Sequence, residues 1–188
     1  MKQISLFVLS ALLLCACGGH PKKAAQPAVP SAEDFAKMQE LYQATEDDHG
    51  SAPLAKWQYV DLDGDGINEV WMRDADEEYG AFFTFNGDAI DLIGVETDQF
   101  GAYTRACQDG KGYFCKGGPA GGPSYYTEVV TVKNSRVGDR FTLLEVYGDI
   151  DSASLNGEEI DEEKAAAFRD ALPESVELVP GEWNELPA

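Results

Sequence analysis

The sequence predicts an α+β fold: an antiparallel, twisted β-sheet meander with one or two covering helices, in a single domain. Three observations carry this expectation. Short runs of β-branched and aromatic residues recur between residues 54 and 147, separated by turn residues. Two stretches alone, near residues 32–44 and 162–172, space their apolar residues as a helix does. No internal period is detectable along the chain, which argues against a repeat architecture.

Taken in order, Ser31 is placed to cap the first helix, and Glu33 and Asp34 sit in its first turn, where the helix dipole favours acids. Phe35, Met38, Leu41 and Tyr42 then recur on one face, to about Ala44, as core contacts. Residues 46–50 form an acidic loop. Trp57–Val60, Glu69–Arg73 and Ala81–Phe85 read as strands. The last reaches Asn86-Gly87, a two-residue hairpin turn whose central positions both tolerate positive φ. Ile90–Val95 returns from that turn. Phe100–Ala106 and Gly112–Lys116 form a further hairpin, and Gly117–Pro123 is expected to be a mobile loop between strands. Tyr125–Lys133 alternates aromatic or β-branched with polar residues, turns through 134–139 and returns as Arg140–Tyr147. Leu155–Ile160 is a tight turn feeding a second helix, Lys164–Leu172, capped by Asp161, Glu162 and Glu163 and stopped by Pro173. Ala165, Phe168 and Leu172 give that helix its apolar stripe. Val176–Val179 can add an edge strand, and Trp183 can pin the carboxyl terminus.

The richest chemistry lies at residues 61–69, Asp-Leu-Asp-Gly-Asp-Gly-Ile-Asn-Glu. A tight turn through this stretch can direct Asp61, Asp63 and Asp65 toward one point. Gly66 permits the bend, the Ile67 carbonyl adds a neutral oxygen, and Glu69 closes the cage. Hard oxygen donors in that number suit Ca2+, which takes about 6–8 oxygens at roughly 2.3–2.6 Å, whereas magnesium demands stricter octahedral geometry. Without a cation the four carboxylates would repel one another. The competing reading is a solvated acidic turn in a protein that is acidic throughout.

Strands flank the loop, and the twelfth position, where an EF-hand places its bidentate Glu, is Met72. An EF-hand is therefore rejected. Residues 57–73 instead resemble the short calcium loops of FG-GAP and VCBS-type propeller repeats, in which an Asp-x-Asp-Gly-Asp-Gly run sits between strands. The resemblance implies a metal site and extends to no other part of the chain. A full propeller needs about 4–8 blades, and this chain carries one such loop. The acidic run at 149–152 lacks the glycine and the third carboxylate, so no metal is assigned there.

At the amino terminus Lys2 precedes an apolar run, Ile4–Leu14, which is too short to span a bilayer as a mature helix and reads as a secretory signal. Leu14-Cys15-Ala16-Cys17 resembles a bacterial lipobox. This implies cleavage before Cys17 and diacylglyceryl attachment to its sulfur, an ordinary signal with an incidental cysteine being the rival. The expected organisation is a signal peptide over 1–16, a flexible Gly-, Pro-, Ala- and Lys-rich tether over 17–30, and a calcium-loop domain over 31–188. Gly18 stands where many inner-membrane lipoproteins have Asp, so the resemblance implies anchoring in the outer membrane, on its periplasmic face or at the cell surface.

The formal net charge is −20, and removal of residues 1–16, which carry one Lys and no acid, leaves −21. Such a field repels nucleic acid and anionic lipid surfaces and attracts divalent cations and basic proteins. Cys107 and Cys115 flank a turn sequence and, in an oxidising compartment, are expected to pair as a staple worth under about 3 kcal/mol. Zinc binding lacks a CxxC or a nearby His, and a redox pair lacks the short spacing.

The case for catalysis is thin. His20 falls in the tether, and His49, beside Asp48, has near it only Ser51, outside any Gly-x-Ser-x-Gly setting. The glycine-rich segment lacks the Lys-Ser/Thr of a phosphate loop. Tyr103, Tyr113, Phe114, Tyr125 and Tyr126 flank that segment, where they either grip a glycan or peptide or fill the core. The expected function is a lipid-anchored, calcium-stabilised, non-catalytic envelope protein that binds a protein or glycan partner, with a glycan or peptide hydrolase as the alternative.

Overall fold

A computed structural model of the chain describes residues 29–45, 52–62, 66–87, 89–96, 103–107, 113–133, 135–147, 152–172, 176–178 and 180–187. Within them run helices α1 (Ala32–Gln43) and α2 (Glu162–Ala171). The strands are β1 (Leu54–Val60), β2 (Glu69–Asp74), β3 (Gly80–Phe85), β4 (Ile90–Val95), β5 (Tyr103–Cys107) and β6 (Tyr113–Pro119). They continue as β7 (Ser124–Val132), β8 (Val137–Val146), β9 (Ser152–Leu155), β10 (Glu158–Ile160), β11 (Val176–Glu177) and β12 (Asn184–Glu185). All pair antiparallel, in two sheets ordered β12-β1-β2-β3-β4 and β10-β9-β8-β7-β6-β5-β11. The α+β class holds, but the single expected sheet is two.

The reason lies in β2 and β3. Side chains alternate between the faces of a strand, and these two strands are apolar on both. Val70, Met72 and Phe83 point to one side, where Phe35, Met38 and Tyr42 of α1 cover them. Trp71 and Phe82 point to the other, and a single sheet with its helices on one face would leave them in water. Val130 and Val132 of β7 cover them instead, together with Ile93 and Leu62. Arg140 of β8 reinforces the junction: its guanidinium donates to Ile93 O at 2.8 Å and Leu92 O at 2.6 Å, occupying edge carbonyls of β4.

α1 begins with a capping box in which the Asp34 N–H donates to Ser31 Oγ at 3.2 Å and the Ser31 N–H to Asp34 Oδ2 at 2.7 Å. Ser31→Ala is expected to lower stability by about 1 kcal/mol, read as a fall in the urea midpoint at unchanged slope. The phenol of Tyr42, buried under this helix, is pushed up to about 12 by desolvation and then by Asp74, Tyr79 and Glu96.

Three local expectations are corrected. The β3–β4 ladder continues past Phe85 and Ile90, the Asn86 N–H donating to Ala89 O at 3.5 Å, so Asn86 flanks the turn and Gly87, at φ 89°, enters it. The glycine-rich segment is a loop only over residues 120–123. Gly117, Gly118 and Pro119 extend β6 and pair with Thr127, Tyr126 and Tyr125, and the turn itself bends at Gly121 (φ 93°) and Gly122 (φ 57°). Finally, residues 152–160 form a β9–β10 hairpin in which both Asn156 (φ 53°) and Gly157 (φ 81°) take positive φ. Asn-Gly supplies that mirror-image turn here, not at residues 86–87.

Candidate metal centre

The acidic run connects two adjacent antiparallel strands. Val60 at the end of β1 is the register partner of Glu69 at the start of β2, so the two ends of the run face each other. Gly66 sits at φ 83°, with open space where a Cβ would lie. Its N–H donates to Asp61 Oδ2 at 3.1 Å. From the opposite end Glu69 Oε2 accepts the Leu62 N–H at 2.9 Å. Both end carboxylates thus turn back onto backbone N–H groups of the run. A carboxylate offers about four acceptor sites, so these bonds are compatible with a cation. Ile67 is half-buried next to them, while Asp63 and Asp65 lie outside the described residues.

Burial distinguishes the two ends. Asp61 is half-buried, but Glu69 and Leu62 are 0 % exposed. A buried carboxylate is costly unless hydrogen bonds and opposite charge meet it. Composition could not have shown this, since the chain has 34 acidic residues and their patterning does not say which is enclosed. Among the described residues no group of three or more His, Cys, Asp or Glu side chains converges as a metal cluster.

No family model, curated protein or solved structure matches the chain.

The remaining expected sites fall as follows. Cys17, His20, His49 and Asp149–Asp151 lie outside the described residues. Cys115 is buried, and its register partner is Arg105, while that of Cys107 is Tyr113. The two cysteines therefore stand two positions apart along the β5–β6 ladder. The side chain of Cys107, like those of Tyr103, Tyr113 and Phe114, lies outside the described part. Tyr125 and Tyr126 are half-buried, on opposite faces of β7.

One site escaped the sequence. A cleft of about 350 Å³ opens between β8, the β9–β10 hairpin and α2. Arg169 Nη1 meets Glu145 Oε1 at 2.7 Å on its wall, and Tyr147 stands exposed at the mouth. Arg169 and Glu145 are 24 residues apart, a pairing that no local pattern encodes. Burial raises the Tyr147 phenol above its ordinary range, with Glu145 adding to the effect. Asp161, at the same cleft, caps α2 by accepting the Lys164 N–H at 2.9 Å, and this bond holds its carboxyl below the usual range.

Proposed function

We propose that this chain is a lipid-anchored, calcium-stabilised envelope protein whose single domain, residues 31–188, binds a protein or glycan partner without catalysis of its own. The observation that best supports the calcium site is the fully buried Glu69, a carboxylate closing an Asp-x-Asp-Gly-Asp-Gly turn between two paired strands. Asp61, Asp63, Asp65 and Glu69 would hold the ion through side-chain oxygens and Ile67 through its carbonyl. When bound, the ion would neutralise charge and join the ends of β1 and β2.

Calorimetric titration of the purified protein should show one calcium site, with magnesium bound more weakly because it dehydrates reluctantly. A flat calcium isotherm would remove the site from the proposal. Cys17→Ser should abolish fatty-acid labelling and either release soluble precursor or leave the signal uncleaved, because the sulfur that takes the acyl anchor is gone. Persistent labelling of that variant would sink the anchor. Cys107 and Cys115 are proposed to form the structural staple, which requires β5 and β6 to shift from the register above, where the pair stands diagonal and beyond disulfide reach, and non-reducing peptide mapping would detect it. Stoichiometric copurification of a partner from membranes supports the binding role, whereas turnover of a glycan or peptide panel would replace it with a hydrolase.

A further inference from the structure

We propose that ion binding at the Asp61–Glu69 turn is transmitted to the packing between the two sheets and to the carboxyl-terminal strap, residues 180–187; this rests on the calcium reading above. Leu62 belongs to the turn, yet it is fully buried in the core between the sheets, in one cluster with Trp71 of β2 and Val130 and Val132 of β7. Its N–H is held by Glu69 Oε2 at 2.9 Å. A single carboxylate thus serves as a proposed metal ligand and fixes the backbone of the residue that plugs the core. An ion that draws on Glu69 restrains Leu62 in the same act.

The strap is seated on the same cluster. Trp183 packs against it and meets the ring of Trp71 edge-on at a centroid distance of 5.1 Å. Trp71 lies two residues along β2 from Glu69, on the same face of the strand. Arg73, two residues further, places its guanidinium carbon 4.7 Å from the Trp71 ring and 5.9 Å from that of Trp183. Upstream of Trp183, the Gly181 N–H donates to Gln58 Oε1 at 2.6 Å. Downstream, β12 pairs with Lys56 and Trp57, and the Leu186 N–H adds one bond to Ala55 O at 3.2 Å. A terminal segment with so short a ladder opens locally at low free energy. Ordering its aromatic seat therefore lowers its opening before it affects the rest of the sheet.

The test is hydrogen exchange of the full chain with and without calcium, followed by mass spectrometry. Calcium should slow exchange in the strap and around the β7–β8 turn by roughly tenfold, within the usual range of coupling between sites. In Leu62→Val, which retains every proposed ligand, calcium should still bind by calorimetry while the added strap protection is reduced. If calcium binds the unaltered protein and strap exchange does not change, the coupling is overturned and the metal site stands. A variant that keeps the full gain in protection overturns it as well. If calcium does not bind at all, the metal reading fails and takes the coupling with it. The comparison on the unaltered protein decides the matter even if the variant does not fold.

Discussion

Asp63→Ala combined with Asp65→Ala is expected to eliminate the entire calcium-dependent rise in melting temperature. A ligand that binds only the folded state stabilises it by about 2.7 kcal/mol at a hundredfold its Kd. For a domain of this size that corresponds to roughly 5–10 °C. The double variant loses two of the four proposed carboxylates, those flanking Gly64, and with them half of the formal charge attracting the ion. Without calcium the variant should melt at or slightly above the unaltered protein, because like-charge repulsion in the turn is relieved. Differential scanning calorimetry in chelator and then in excess calcium separates these effects. Equal calcium responses in the two proteins would show that the turn is not the site.

Glu96→Ala is expected to be the most damaging change away from the turn. Glu96 Oε2 accepts the indole N–H of Trp71 at 2.9 Å and the Arg73 Nε–H at 2.8 Å, and its Oε1 meets Arg73 Nη2 at 2.8 Å. Its side chain is only 10 % exposed, against 23 % for Arg73. Removing one member of a buried pair costs about 3–5 kcal/mol. The part-exposed Arg73 brings the expectation to about 2–4 kcal/mol. Gly80 offers an independent check. A Cβ there would overlap Glu96 Oε2 and lie 2.9 Å from Met72 O, so Gly80→Ala must displace the same carboxylate. Both variants should lower the urea midpoint by a similar amount. A loss below about 0.5 kcal/mol, the scale of an unremarkable surface change, would mean that this network contributes little.

Much of the chain was legible locally. Ser31 and Asp161 cap their helices as their residue types require. Phe35, Met38 and Tyr42 face the core at the spacing that the sequence displays. The strands appear close to where β-branched and aromatic residues cluster, and the acidic run does join two of them. The misreadings have a physical cause in common. Asn-Gly signals a turn but not its register, which the cross-strand ladder sets. Glycines in the 117–122 segment suggested a loop, yet Gly117 and Gly118 lie where β7 supplies the pairing that keeps them extended.

Helix capping could be read from the chain because it depends on residues within about one turn of one another. The second sheet could not be read in the same way. Phe82 and Trp71 demand cover on their face of the first sheet, but nothing near them specifies that Val130 and Val132 provide it. The seat of Trp183 on Trp71, the reach of Arg140 to the carbonyls of β4, and the Gly181–Gln58 bond across 123 residues of sequence belong to the same class. Glu69 begins β2, a strand paired on both sides, and its complete burial is likewise a property of the folded chain and not of the acidic pattern. Local stereochemistry wrote the turn; long-range packing decided which of its acids left the solvent.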